Sequence, residues 1–586
     1  MYDTVITSAR LIDGSGSEER SADIAIKDGV IVEVGKVDGL TTRTIDADGA
    51  LVTPGFVDIH THYDGQVSWD SELQPSVAHG VSTVVMGNCG VGFAPCRPSD
   101  RDRLVELMEG VEDIPGAALA EGLTWRWESF EQYLDALDAV PRSIDVCAQV
   151  THDALRVYVM GEPGARGAAA SGEHIADMRR LASQALDAGA IGISTGRSEN
   201  HKSATGHDTP ARFAATEELV GIAAALRGRD RGIFQVVSDF GMSDRETFDR
   251  EFDRIEAVGR SAGRPVSVSC IERFAVPDQW RWIAQRAQRA TDSGVPINLQ
   301  VGVRAIGVLL GLNATFHPFM GFPSYKAISH LPLDERVAEM RRADFKARLL
   351  SETSEPVAGD GSPIPPMADQ LLAALDLVAT RLFRLGKHPD YEPSAERSLA
   401  AEASMAGRPA LDVVYDALLE QGGHELLYLP LFNYSSGNLD TVAEMLRHPL
   451  ALSALSDGGA HVGTVCDASF PTYMLMHWGR DRDDGLGLTR AVEMQTSRNA
   501  RFIGLSDRGT IQPGKRADIN VIDIDNLALE RPYLVDDLPA GGKRLLQRAS
   551  GYLHTMVAGV DVIVDDTRTA ELPGRLVRSG QQTSSR

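Results

Sequence analysis

Cysteine is scarce in this chain: Cys89, Cys96, Cys147, Cys270 and Cys466 are the only five among 586 residues. So odd and sparse a set excludes a disulfide-stapled scaffold and fits a reducing compartment. Positive charge is also in deficit, with 58 Lys and Arg against 82 Asp and Glu and a formal net charge of −24. That balance excludes nucleic acid as a partner, because gripping a phosphate backbone needs clustered cations. No apolar run reaches the length that crosses a bilayer, so no membrane partner is expected. The opening residues, MYDTVITSARLIDGSG, lack a basic segment followed by an apolar one. No secretory signal is read there, and the cytoplasm is the expected location. No internal repeat is found either.

What remains is an ordinary globular composition, 43% hydrophobic and 24% charged, which rules out wholesale disorder. At 586 residues the chain outgrows one ordinary core, so a large domain plus a smaller one is expected. Both ends read as short strands. Asp23 to Ile26 and Val30 to Val34 are joined through Lys27-Asp28-Gly29, a hairpin signal, and Asp518 to Ile524 and Thr555 to Val564 are rich in Val and Ile with a break at Gly559. A β-sandwich built from 1–55 and 505–586 is the expectation.

The middle, 56–504, alternates short apolar runs with amphipathic stretches, the pattern of βα units around a parallel sheet, and predicts a (β/α)₈ TIM barrel. One unit is explicit. Ile175, Met178, Leu181, Ala182, Ala185 and Leu186 recur at helical spacing, Gly189 stops the helix, and Ala190 to Thr195 follows as a strand. The other strand candidates are 56–59, 81–86, 144–150, 233–237, 266–270, 297–301, 426–432 and 452–455, one more than eight places can hold. Between about 303 and 400 the pattern dissolves into Gly, Pro and charge, which predicts a lid or binding insertion over the site with mobility near Gly359 to Pro366.

The sharpest chemical signal is PGFVDIHTH at 54–62. Alternate side chains of a strand share a face, so His60 and His62 point the same way at the carboxyl end of a buried run, where two imidazoles suit a divalent metal. The plainer reading is a pair of satisfied surface histidines. Cys89, in Gly-Asn-Cys-Gly after the run 81–86, stands where a second strand ends; most free cysteines are only small buried residues. Asp457, in Ser-Asp-Gly-Gly after an apolar run, reads locally as a turn. Tyr63 and Asn88 adjoin the candidate ligands.

Taken together, PGFVDIHTHYD at 54–64, GVSTVVMGNCGVGFAP at 80–95, IDVCAQVTHDALRVYVMG at 144–161, AGAIGISTG at 188–196, LSDGGAHVG at 455–463 and RGTIQPGKRADI at 508–519 resemble the amidohydrolase superfamily in family order. The likeness is to its N-acyl-D-amino-acid deacylase (D-aminoacylase) branch. It implies a metal-dependent hydrolase of a non-peptide C–N bond in a small-molecule substrate, with His60, His62, Cys89 and Asp457 around zinc and Asp457 carrying the proton. His152 resembles the family's third-strand Gly-His segment. His152, Arg156, Arg197 and His461 are the candidate substrate contacts, two of them arginines suited to a carboxylate, although most arginines are solvated.

The chain departs from the pattern in one respect. The family's further metal-binding histidines at the ends of the fifth and sixth strands have no counterpart in 233–239 or 266–272, where Asp239, Cys270 and Glu272 are the available substitutes. One ion or two thus stays open. So do a hydrolase of cyclic amides, lactones or other acyl compounds on the same machinery, and a ligand-binding scaffold that has lost its metal. Large enzymes of this class are often homo-oligomers, and no interface signature stands out.

Overall fold

The computed structural model describes residues 1–241, 244–358, 364 and 367–580. Eight parallel strands form its centre: β1 (Phe56–Asp58), β2 (Val81–Met86), β3 (Asp145–Thr151), β4 (Gly192–Arg197), β5 (Ile233–Ser238), β6 (Val266–Ser269), β7 (Ile297–Val301) and β8 (Ala451–Ser453), neighbours in that order. β2 and β3 are buried along their whole length, which is why they read as unbroken apolar runs. The barrel closes just beyond its first and last strands. Thr61 bridges Gly458, the His62 N–H donates to the Gly458 carbonyl at 2.8 Å, and the Asp457 N–H donates to the His60 carbonyl at 3.2 Å. Closure therefore sets the His-x-His segment edge to edge with the segment that carries Asp457.

The helix of the explicit unit, Gly172–Ala188, starts at a capping box between Ser171 and His174 and ends at Gly189, whose φ of +120° an L side chain rarely adopts. Of the nine strand candidates, 426–432 lies outside the barrel. Leu427–Phe432 pairs antiparallel with Ile306–Leu310 and with Phe383–Arg384. Its apolar run resembles a barrel strand because any strand buried on both faces reads alike.

The segment expected to be irregular is folded. Helices Leu333–Met340, Ala343–Leu350, Leu399–Ala406 and Ala410–Leu418 surround a separate core that runs from Leu310 to Leu429, so the inserted body extends past residue 400. It rests on the carboxyl rim of the barrel: the Leu309 N–H donates to Thr464 (2.7 Å), that of Thr315 to Gly463 (3.2 Å), and that of Asn433 to Glu272 (3.0 Å). The mobility expected at 359–366 falls, Ile364 apart, outside the described residues.

A nine-stranded mixed sheet draws on both ends of the chain, with Leu51–Pro54 paired to Ile519–Ile522. Strand Tyr2–Leu11 is irregular between Ile6 and Ala9; before that point it pairs with Thr41–Asp46 and after it with Leu51–Pro54. Both ends of the chain thus meet in one continuous sheet. The hairpin signal at Asp28-Gly29 and the break at Gly559 both appear as two-residue turns, Asp28-Gly29 and Ala558-Gly559, with positive φ at all four positions as a type I′ turn requires. Beneath the barrel, Arg508 donates to Asp145 at 2.7 Å and to Thr83 at 2.8 Å, while Arg516 reaches Asp145 and Asp518, each at 3.1 Å. This buried cluster bolts the start of β3 to the approach to the sheet.

Candidate metal centre

Asp58, His60 and His62 alternate along and beyond β1, and both imidazoles are 1% exposed. Cys89 and Asp457 come from turns rather than strands, with φ of +56° and +49°, a strained backbone of the kind that gathers at functional sites. The turn at Cys89 needs its flanking glycines. A Cβ on Gly87 would lie 2.5 Å from the Gln149 carbonyl oxygen, and one on Gly90 would lie 2.5 Å from the Gly196 nitrogen. Gly-Asn-Cys-Gly is thereby pressed against the ends of β3 and β4, and the thiol turns inward. Asn88 fastens it, donating to the Thr61 and Val85 carbonyls at 3.1 and 2.9 Å.

Four donor atoms then converge. Cys89 Sγ is 3.4 Å from His60 Nε2 and 3.8 Å from His62 Nε2. Asp457 Oδ1 is 3.4 and 3.7 Å from the same two nitrogens. Ligands arranged tetrahedrally around one zinc at ordinary bond lengths are about 3.3–3.6 Å apart, and these four separations lie within a few tenths of an ångström of that range, although Asp457 falls outside the group whose ligand atoms all neighbour one another. His60, His62 and Cys89 are the described group whose ligand atoms all fall within 4.8 Å of one another.

The atoms behind the ligands prepare them. His60 Nδ1 lies 2.6 Å from Gln300 Oε1, and the Gln300 amide nitrogen donates to Ser267 Oγ at 2.9 Å, so the oxygen accepts and Nε2 of His60 keeps its lone pair. His62 Nδ1 faces Glu112 Oε1 at 3.2 Å. The Cys89 N–H donates to Gln235 Oε1 at 3.1 Å. Asp58 accepts from the His60 N–H at 3.2 Å and from the Ser456 hydroxyl, tying β1 to the turn after β8.

Burial pushes the Cys89 thiol up to about 12, the Glu112 and Asp58 carboxyls up to about 7, and the His60 imidazole down to about 4. Burial also opposes charge on Asp457, yet the hydrogen bond from His62 and the charges of His60, His62 and His461 hold that carboxyl well below its usual range. Desolvation resists protonation of His62 too, but Glu112, Cys89 and Asp457 raise it well above an ordinary histidine. The pocket thus gathers more acidic groups than it can neutralise. A divalent cation held there would resolve that imbalance and would favour the thiolate of Cys89.

This chain belongs to the amidohydrolase family. The family model matches residues 43–563. D-aminoacylase of Alcaligenes xylosoxydans xylosoxydans is 33% identical over 98% of this chain and 97% of its own length, and the N-acyl-D-glutamate deacylase of the same organism is 30% identical over 98% and 96%. Among solved structures, a D-aminoacylase superposes with a TM-score of 0.64 at 24% identity, and the Bordetella bronchiseptica N-acyl-D-glutamate deacylase, complexed with zinc and a phosphonate inhibitor, with 0.63 at 23%. Each covers 99% of this chain and 100% of its own, and at that identity the likeness speaks for the fold. As an amidohydrolase the chain is a metal-dependent hydrolase of C–N bonds other than peptide bonds.

The expected substrate contacts divide. His461 adjoins the cluster, its Nε2 3.7 Å from Glu112 Oε2. The other three are engaged by partners within the chain. His152 uses both ring nitrogens, on Thr195 and Glu218 at 2.9 Å each, and Arg156, 1% exposed, is paired with the same Glu218 and with the Ala168 carbonyl. Arg197 is spent on Glu251, at 2.5 and 3.2 Å, and on the Ala214 carbonyl. Helices Thr216–Ala223 and Arg245–Ala262 supply those carboxylates and leave no free fork for a substrate. Nor do the proposed stand-ins reach the cluster. Asp239 accepts from Ser198 and from the Glu199 N–H, Cys270 packs on Met445, and Glu272 accepts from Ser435 and Thr441.

Four residues around the ligands escaped the sequence reading: Glu112, Gln235, Gln300 and His201, whose buried Nδ1 has no hydrogen-bond partner. The glutamines carried a usable signal, since a polar residue inside an apolar strand must find partners. Glu112 carried none, lying at the end of an outer helix, Arg101–Glu112, on a stretch with no strand pattern.

Proposed function

We propose that this amidohydrolase removes the acyl group from N-acyl-D-amino acids. His60, His62, Cys89 and Asp457 hold a divalent ion, zinc by the chemistry of the donor set, and Asp457 carries the proton. The observation that supports this reading is the convergence of two imidazoles with a thiol and a carboxylate, each 3.4–3.8 Å from both imidazole Nε2 atoms. When bound, the ion supplies Lewis acidity and lowers the pKa of water to about 7.

The chain's own groups do the rest. Asp457, ionised at neutral pH, accepts the proton that water loses as its oxygen bonds to the acyl carbon. It then delivers that proton to the nitrogen as the C–N bond breaks, so that a carboxylate and an amine leave. Gln300 holds His60 with Nε2 directed at the centre, and the Glu112 carboxylate faces the outer nitrogen of His62 as a charge at 3.2 Å rather than through a hydrogen bond. The buried, unpaired state of the five cysteines supports a cytoplasmic location.

Parallel hydrolysis assays on N-acyl-D-amino acids, their L enantiomers, cyclic amides and lactones test the reading, with metal measured on the same preparation. Turnover of the D series that is lost on chelation and restored by zinc is expected. Zinc-dependent turnover confined to cyclic amides or lactones would replace the deacylase assignment, and a protein that takes up no metal would end it.

A further inference from the structure

We infer that His201 and His461 together bind the carboxylate of the substrate and make the enzyme selective for N-acyl compounds that carry an anion beside the amide. The inference rests on the deacylase reading above, which requires such a carboxylate and leaves its partner unnamed. The cations closest in sequence to the ends of β3, β4, β6 and β7 are already spent. Arg156 is paired with Glu218 and Arg197 with Glu251. Arg273, 4% exposed, packs beside Asp239 at 3.6 Å, and Arg304, 1% exposed, donates to Asp467 at 2.9 Å and lies 3.5 Å over the Tyr391 ring. Lys202 is held by Asp208 at 2.5 Å. A substrate anion at the centre therefore has to find a donor of another kind.

His201 is such a donor. Its ring is partly exposed, Nδ1 has no hydrogen-bond partner, and no hydrogen bond, ion pair or ring contact ties the imidazole to any described residue. The ring faces the Cys89 turn across a glycine: a Cβ on Gly196 would lie 2.1 Å from the Cys89 carbonyl oxygen and 3.6 Å from His201 Nδ1. The loop that carries it is fixed on both sides. Ser198 and the Glu199 N–H donate to Asp239, just past β5, at 3.1 and 2.5 Å. Further on, the Ala204 N–H donates to the Glu106 carbonyl and the Ser203 hydroxyl to the Glu106 carboxylate, both at 3.0 Å. Glu106 belongs to the helix Arg101–Glu112, whose last residue faces His62.

His461 completes the pair. It follows Asp457 in the turn after β8, its N–H donates to the Glu112 carbonyl, and its Nε2 is 3.7 Å from Glu112 Oε2. Its side chain is 30% exposed, against 16% for Asp457 and 1% for His60 and His62, so the site opens where Asp457 and His461 have surface. Burial pushes the His201 ring down to about 4, and the charges that act on it besides are those of Asp239, His461, His62 and Asp457, which puts both imidazoles at the same opening. A neutral imidazole still carries one N–H, so two of them hold a carboxylate by charge-assisted hydrogen bonds without taking up a proton. In an N-acyl-α-amino acid one carbon separates the carboxylate from the amide nitrogen. A carboxylate held at that opening therefore keeps the scissile bond beside Asp457.

The test takes the zinc-loaded full chain as wild type, His201→Ala and His201→Gln. It compares kcat/KM for the N-acyl-D-amino acid that wild type hydrolyses best with that for the carboxamide of the same compound, which is neutral and of nearly equal size. Zinc content is read by elemental analysis. Wild type should prefer the acid. In His201→Ala that preference should shrink roughly 10- to 100-fold, chiefly through KM and with zinc retained, the loss expected for one hydrogen bond to a charged group. His201→Gln, which keeps an N–H donor, should recover part of it. A merely structural role would lower acid and carboxamide alike, and that result, or an unchanged preference, would overturn the inference. So would a wild type that treats acid and carboxamide equally. Should wild type hydrolyse only cyclic amides or lactones, the deacylase reading falls by itself, and calorimetric binding of the acid and the carboxamide to the same proteins decides. Tighter binding of the acid that is lost in His201→Ala supports the clamp, and equal binding refutes it.

Discussion

Replacing Glu112 with glutamine changes one charge and hardly any volume, 3.2 Å behind the ring of His62. Glu112 is 1% exposed and held in place from several sides: its carbonyl accepts from the His461 N–H, and its neighbour Asp113, in the left-handed region, accepts from Thr464 at 2.9 Å. These contacts fix the backbone at Glu112, and burial leaves a glutamine there no water to turn to. With its Nε2 given to a metal the His62 ring is neutral, so Glu112 acts on the N–H dipole of that ring and on the ion beyond it, an attraction well below the roughly 5 kcal/mol of a full ion pair at this distance and an effective dielectric constant near 20. Keeping the carboxylate out of water offsets part of this. What survives should match the loss of a group behind a metal-bound histidine, about 10- to 100-fold in metal affinity, or about 1.4–2.7 kcal/mol. Competition of Glu112→Gln against a chelating dye for zinc measures it directly, with thermal unfolding of the metal-free protein as the control. An unchanged zinc dissociation constant, with the fold intact, would refute the idea that Glu112 tunes the ligand.

Other expectations follow from the same contacts. His60→Ala should lose zinc on purification, read by elemental analysis, and unchanged metal content would remove His60 from the ligand set. Asp457→Asn should keep the fold while kcat drops roughly 10²–10⁴-fold, the range for a lost proton carrier; wild-type turnover would rule that role out. His317, in the inserted body, is pushed down to about 3 by burial and the nearby Arg336 charge. The unfolded chain binds that proton near pH 6.5 and the folded one only near 3, so stability is full above 6.5 and falls as pH drops through that window, by up to about 1.4 kcal/mol per pH unit. Denaturant midpoints between pH 7.5 and 5 should show a shallower fall for His317→Gln, and identical slopes would exclude it. Arg508→Met should cost about 3–5 kcal/mol in urea unfolding, since it leaves the two buried carboxylates of Asp145 and Asp518 to share Arg516, and a loss under 1 kcal/mol would mean the cluster is not coupled.

Legibility in the sequence tracked how local the determining physics is. His60 and His62 announce themselves because a two-residue period alone puts both on one face, and Gly87 and Gly90 mark the turn that presents Cys89 because no side chain fits at either place. Asp457 looked locally like a turn and is one. What sets it beside the two imidazoles is barrel closure, which bonds its N–H to the His60 carbonyl across nearly 400 residues of chain, a contact no window of sequence contains. The failures share that cause. Arg156 and Arg197 looked like substrate clamps because arginine advertises a need for carboxylate, and the sequence does not say whether the partner is a substrate or Glu218 and Glu251 on the next helices. The same limit hid Glu112, whose helix lies outside the strand pattern and reaches the site only through the fold. Within this barrel, then, first ligands are readable from short-range geometry, whereas the groups that set their charge arrive from remote elements. Substitutions at Glu112, Gln235 and Gln300 should for that reason alter metal affinity and rate while leaving the sequence motif untouched.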